Sequence, residues 1–429
     1  MTLQKLPLLL KPSSMTLWGR RLFMAEQKMT RHGKPYLYEV DFMRCVFIFG
    51  VLLNHTTTAF GTAMNDSLSK SLIHATHLSL HFTRMGFMFM TGLVLFLNYY
   101  GKNSKWLTFW KRRYTSVGIP YLAWNAILLL FVDLFSGIAL NGMQYWKDFS
   151  YSVLHGNNFY LYYVFVVFQL YLIFPAFIWL FRKFKDHHRT ILLVSFTIQL
   201  ALLIGVKYGL PHIDNSGWPY IFRAYGNNVL MYQAYFLAGG YTAIHYQKVT
   251  AFLTKFKKQV YAIAVLLSFG TFLLYEYNGR ILKLSFSKMM TAQQPYLMVY
   301  ALVMVAVVFL IGQKYAFYRM HGLNPTVEKF IATSSKVSFG IYLVQTIPLA
   351  ILSFTLSKLT FIPSWLMFWG IPIGYAFVVG SSFLISYFCL KVPPFDLLIG
   401  RGKLKWPWKF KQPNSENIAI EAEKKSSHA

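Results

Sequence analysis

The chain has 429 residues, 55% of them hydrophobic and 19% aromatic, with only 13% charged. That is about half the charged share of a soluble domain, too little to cover a water-facing surface. The formal charge is +28 with two cysteines, and both Cys45 and Cys389 fall inside apolar runs, which argues against a disulfide framework.

In chain order, residues 1–37 form a basic segment whose only apolar run, Leu6 to Leu10, is too short for a signal-peptide core. Met24 and Met29 lie close before the first long apolar run, so part of this segment reads as a dispensable leader, with the presence of residues 1–28 left open. Apolar runs of spanning length then recur near 38–60, 80–100, 117–139, 159–181, 190–208, 228–247, 258–276, 294–313, 330–356 and 365–390. Residues 391–429 are a basic, polar tail, read as disordered after Trp408. The pattern predicts an all-α polytopic membrane protein of about ten transmembrane helices, with one transmembrane domain over 38–390. Neither an internal repeat nor a phosphate-binding glycine pattern interrupts it.

The connections alternate in charge. Lys and Arg number about 31 on one side of the spans and about 7 on the other, the asymmetry of the positive-inside rule. Both termini are therefore expected in the cytosol, and the protein in the cell membrane as a multi-pass chain. The basic ends sit where anionic headgroups attract them, so the charge needs no nucleic-acid partner.

The first span carries Asp41, Arg44 and His55. At about 100° per residue, the eleven steps from Arg44 to His55 leave them within roughly 20° of each other, and Asp41 lies within roughly 40° of His55. Arg44 and His55 are separated by about 16 Å of axial rise. In the simplest reading Asp41 pairs with Arg44 three residues on and His55 bonds a neighbouring helix. Taken as a set they weigh against it, because an Arg at a helix centre costs about 3 kcal/mol on insertion scales. A one-sided polar stripe is economical where it faces a wet or polar cavity.

Arg44, ten intervening residues and His55, preceded by Asp41, resemble the signature of the acyltransferase-3 family of integral membrane O-acyltransferases. The resemblance runs over about 38–390. Phe82-Thr-Arg84-Met-Gly-Phe-Met-Phe-Met-Thr-Gly92 is similar to the family's second-helix segment, and Lys111-Arg112-Arg113 before Ile119-Pro120-Tyr121 to its basic entry to the third helix. Asn158 to Pro175, with Gln169 and Tyr171, and Tyr235-Phe-Leu-Ala-Gly-Gly240 resemble the branch acting on poly-N-acetylglucosamine exopolysaccharide, the intercellular adhesion branch. Ser338-Phe-Gly-Ile-Tyr-Leu343 resembles a late helix motif. The family often has a second Arg where this chain has Ser116, and a His where it has Gln345.

The resemblance implies transfer of an acyl group from acyl-CoA to a hydroxyl of a polysaccharide or glycolipid. A sugar hydroxyl is a poor nucleophile and needs a base, a task suited to histidine, so His55 is the expected general base, with a transient acyl-histidine as the alternative. Arg44 is expected to hold donor phosphates or to order the channel that admits the donor's long arm, and Asp41 to orient Arg44. Arg113 and Arg112 are candidates for the anionic head of CoA, and Arg84 for the acceptor or the oxyanion. Tyr163, Gln169 and Tyr342 are polar candidates within apolar runs, each also explicable as a helix-to-helix bond. His74, His77 and His81 share a helix face with metal-compatible spacing, but no nearby Cys or carboxylate completes a set. No metal and no permanently bound cofactor is expected. The expected partners are acyl-CoA, the acceptor, the lipid bilayer and a candidate polysaccharide synthase. The competing reading is a polysaccharide exporter, which predicts broken helices paired between two related halves.

Overall fold

A computed structural model describes residues 36–402 apart from Ile138 and Leu140. Most of the basic N-terminal segment and the tail with Trp406 and Trp408 lie outside the described residues. Among the described residues, fourteen α-helices of ten residues or more account for most of the fold. They are α1 (Tyr38–Ala63), α2 (Leu68–Leu80), α3 (Phe82–Tyr99), α4 (Trp106–Phe135), α5 (Gly142–His155), α6 (Tyr162–Lys183) and α7 (His188–Ile204). Then come α8 (Gln233–Ile244), α9 (Tyr246–Lys255), α10 (Lys257–Glu276), α11 (Pro295–Met320), α12 (Pro325–Val344), α13 (Thr346–Lys358) and α14 (Ser364–Lys391). Among the described residues, eight helical stretches are long and apolar enough to cross a membrane, or nine if the bent pair α12–α13 is one span. The chain is an all-α polytopic membrane protein.

The apolar runs become spans with instructive departures. Leu68 to Tyr99 makes one 32-residue stretch, broken only at His81, so part of what reads as a loop before 80 is helix. The run 330–356 bends by 55° between α12 and α13. Pro348 explains the break, since it has no N–H to offer the Val344 carbonyl and its ring would collide with it. The run 228–247 yields only the 12-residue α8, preceded by tight 3-10 turns. Alone it falls below spanning length. Two π turns, Gly205–Gly209 and Tyr277–Ile281, distort the ends of α7 and α10.

Helix α1 is the axis of the bundle and packs against α2, α3, α11, α12, α13 and α14. Its apolar residues divide between two cores. Val40, Met43 and Phe47 join a cluster with α3, α6, α8 and α11. Ile48, Leu52 and Phe60 join another with α4, α12, α13 and α14. The polar stripe of α1 thus runs along a seam between two packed halves.

In the first half, α3 and α8 meet backbone to backbone. A Cβ on Gly92 would sit 1.9 Å from the Phe236 carbonyl oxygen, and one on Gly239 would sit 1.9 Å from that of Phe89. Small residues permit such approach where lipid offers no hydrophobic drive between helices. Gly92→Ala is therefore expected to destabilise by about 1–3 kcal/mol through overpacking, read as a lower melting temperature in detergent. Gly380→Ala, inside α14 with open space at its Cβ, is the control and should hold or raise stability by up to about 1 kcal/mol. Equal melting of the two variants would refute the close contact.

Candidate active site

A cavity of about 350 Å³ opens along the seam, with Arg44 and His55 of α1, Arg84 of α3, Arg113 of α4, Tyr163 of α6 and Tyr342 of α12 among its lining. Helical periodicity places Arg44 and His55 on one face, about 16 Å apart along the axis. The cavity therefore has an Arg44 end and a His55 end.

At the Arg44 end the pairing of Asp41 with Arg44 is bridged. Arg44 Nη1 lies 3.7 Å from Asp41 Oδ1 and donates to Ser335 Oγ at 3.0 Å, while Ser335 Oγ donates to Asp41 Oδ1 at 2.7 Å. The Tyr36 hydroxyl donates to Asp41 Oδ2 at 2.7 Å. Burial, reinforced by the Asp41 carboxylate, raises the Tyr36 phenol above its ordinary value, so it remains a donor at neutral pH. Asp41, 6% exposed, is thus held on both oxygens and does not itself line the cavity. It contacts Ser335 directly and Arg44 through that hydroxyl. Arg113 lies 5.8 Å from the Tyr171 ring and 5.9 Å from the Phe109 ring, cation–π contacts that leave N–H groups for a ligand. Arg112, one residue earlier, is exposed and does not line the cavity.

At the other end the His55 ring stacks on Tyr160, with centroids 3.7 Å apart and planes tilted by 31°. The guanidinium of Arg84 lies over the Tyr162 ring at 5.0 Å and beside the Tyr232 hydroxyl. None of the four ion pairs among the described residues includes Arg84, so aromatic faces and hydroxyls take the place of a carboxylate. Tyr163 and Tyr342 face each other with ring centroids 5.7 Å apart, and the Tyr342 hydroxyl donates to the Tyr160 carbonyl. Both tyrosines line the cavity. Gln169 does not. Its amide donates to Asn227 O at 2.7 Å and accepts from the Val229 amide at 3.1 Å, which ties α6 to the turns preceding α8.

His81 also lines the cavity. Its Nε2 lies 2.9 Å from the Met290 carbonyl, which can only accept, so the proton sits on Nε2 and the Nδ1 lone pair is left buried without a partner. His77 stands against it with ring centroids 4.7 Å apart, and the Nδ1 of His77 reaches Thr58 Oγ1 at 3.0 Å and Asn54 O at 3.1 Å. Among the described residues no three of His, Cys, Asp and Glu converge as a metal site would require.

The segment 289–294 organises this end from behind. Met290 fixes His81, and Gln293 Nε2 donates to the Tyr232 hydroxyl at 3.0 Å. Gln294 Oε1 accepts from buried Lys207 Nζ at 2.9 Å and from Asn278 Nδ2 at 3.0 Å. Gln294 Nε2 in turn donates to the Met289 and Thr291 carbonyls at 3.0 and 2.9 Å. Lys207 and Asn278 both belong to the π turns, a distortion frequent at functional sites. In the sequence Lys207 is a lone cation at the end of the 190–208 apolar run. The segment itself carries no signal beyond the Gln293-Gln294 pair before a proline-initiated helix.

A multi-pass helical bundle thus carries along its central helix a cavity with mainly apolar walls, into which Arg44, Arg113 and Arg401 reach with His55, His81 and Arg84. Residues 37–387 match the family model described as an acyltransferase domain, and the chain belongs to that acyltransferase-3 family. No curated protein and no solved structure matches it. It is a membrane acyltransferase.

Gln294→Leu removes the hydrogen-bond acceptor of a buried ammonium and should cost about 2–3 kcal/mol, seen as a lower melting temperature of the purified protein. Adding Lys207→Met to that variant removes the stranded cation and should return part of the loss. A double variant that melts below the single one would refute this account of Lys207.

Proposed function

We propose that the protein transfers an acyl group from acyl-CoA to a hydroxyl of a polysaccharide or glycolipid, with His55 as general base. The observation that carries this reading is that Arg44 and His55 line one cavity about 16 Å apart along α1, so a donor anchored by its phosphates at one end presents its thioester toward the other. In the step itself the hydroxyl oxygen attacks the thioester carbonyl while His55 takes its proton. The C–S bond breaks, the acyl group stays on the acceptor oxygen, and the imidazolium returns the proton to the leaving thiolate. Arg84, beside His55 on the cavity wall, balances the oxyanion or grips the acceptor. Tyr163 and Tyr342 shape the space between, and Arg113 joins Arg44 at the donor end. With the termini cytosolic, as the charge asymmetry implies, the Arg44 end faces the cytosol and the acceptor enters from the outer side of the cell membrane. An exopolysaccharide acceptor, O-acetylated during synthesis or export, fits the branch that Tyr235 to Gly240 resemble.

The test is thiol release and acyl transfer by the purified protein in liposomes across a series of acyl-CoA donors, wild type against His55→Ala. Loss of a general base is expected to lower the rate by about 10²–10⁴-fold, with the variant still folded by size-exclusion profile and melting. Equal rates in the two proteins would refute the role of His55. An inactive wild type that still moves labelled polysaccharide across the liposome would make the exporter the better reading.

A further inference from the structure

The Arg44 end of the cavity is completed by a segment remote in sequence. Beyond α14 the chain turns back through a short 3-10 helix, Phe395–Ile399, and returns to the bundle. The Trp124 indole donates to the Leu398 carbonyl at 2.9 Å. Ile399, 2% exposed, packs so closely on Gly340 that a Cβ there would meet its Cγ2 at 2.6 Å. Gly400 adopts φ +68°, and its backbone presses on Ser116, whose carbonyl oxygen would lie 2.5 Å from a Cβ. Only glycine meets both demands at low cost. The amides of Arg401 and Gly402 both donate to the Asp396 carbonyl at 3.0 Å.

These anchors deliver one side chain. Arg401 donates from Nε and Nη2 to the Lys336 carbonyl at 3.1 and 2.8 Å, one residue past the Ser335 that bridges Asp41 and Arg44, and it lines the same cavity as Arg44 and Arg113. No ion pair among the described residues involves Arg113 or Arg401. The one carboxylate beside Arg44 is already occupied by Ser335 and Tyr36. Arg401 remains solvent-exposed on one side; partial desolvation against the bundle, and after it the proximity of Arg44, lowers its guanidinium from its ordinary value. Arg401 and Arg44 repel each other across one engaged carboxylate, Arg113 adds a third guanidinium to the same cavity wall, and an anion bearing several charges relieves them. Arginines suit phosphate oxygens in particular, because the planar fork donates two parallel hydrogen bonds.

We propose that the strap 393–402 delivers Arg401 as the third cation of a diphosphate-binding mouth, shared with Arg44 and Arg113. The identity of the diphosphate's bearer rests on the donor reading above; the mouth itself does not. Two sources of such phosphate exist, a soluble organic diphosphate and the headgroup of an anionic lipid, and the experiment separates them.

Full-length wild type, Arg401→Ala and Arg401→Lys would be compared for binding of inorganic pyrophosphate by calorimetry in detergent. The three proteins would also be assayed for transfer from acetyl-CoA and from the acetyl thioester of N-acetylcysteamine, which has no phosphate. Arg401→Ala is expected to weaken pyrophosphate about tenfold, corresponding to about 1.4 kcal/mol, and Arg401→Lys to weaken it less. KM for acetyl-CoA should rise by a similar factor with kcat retained, while turnover of the phosphate-free thioester stays unchanged. Pyrophosphate binding that is absent from the wild type, or equal in wild type and Arg401→Ala, overturns the proposal. So does an equal loss with both thioesters, which would make the strap a structural support only. Repeating the titration in nanodiscs of phosphatidylglycerol and of phosphatidylcholine separates the sources. Binding abolished in the former and kept in the latter assigns the mouth to lipid phosphate and overturns the soluble diphosphate. If no thioester is turned over by any protein while pyrophosphate still discriminates Arg401→Ala, the acyltransfer reading of the cavity fails and the mouth stands.

Discussion

Cations placed inside a bundle that lipid surrounds dominate this structure. A guanidinium or ammonium taken out of water is tolerated only with partners that replace its hydration, and the three examples here are solved differently. Arg44 uses Asp41 through the hydroxyl of Ser335. Arg84 uses the face of Tyr162 and the hydroxyl of Tyr232. Lys207 uses a side-chain amide, with the Tyr208 and Tyr277 rings 5.6 and 5.4 Å from its nitrogen. Two of the three do without a carboxylate, so much of the positive potential reaches the interior uncancelled. The cavity lies among apolar walls into which Arg44 and Arg84 reach.

The cavity lies where it does because α1 serves two cores at once. With Met43 and Phe47 committed to one cluster, Ile48 and Leu52 to another and Cys45 to a small third with Tyr315 and Ile331, the face of α1 bearing Arg44 and His55 falls on the seam. Polar residues on that face cost the fold little, since neither cluster closes over them.

The sequence was legible where the physics is local. Hydropathy located the spans, and the 100° turn per residue aligned Arg44 with His55 before any contact was known. Local too was the α12–α13 break, had Pro348 been given its weight. What could not be read depends on atoms far apart in the chain. Ser335 contacts Asp41 across 294 positions, and nothing in an apolar helix distinguishes it from Ser334 or Ser338. Arg401 looks like one more cation of a basic tail until Gly400 turns it inward. Gln169 shows the opposite limit, because a glutamine in an apolar helix reads equally well as a ligand or as a brace, and here it braces a loop. Apolar composition also overstated the run 228–247, whose helix is set by a buried neighbour and not by lipid.

The glycine seam between α3 and α8 bears on the order in which the chain assembles. Twelve residues of helix reach about 18 Å, against a hydrocarbon layer of about 30 Å, so lipid cannot retain α8 as an independent segment. It becomes stable only when Gly92 of α3 is already in place to receive Gly239. Between their synthesis come α4, α6 and α7, which are long and apolar enough to insert first. The central part of this chain must therefore enter the bilayer provisionally and settle late, with the backbone of an early helix acting as the template for a later one.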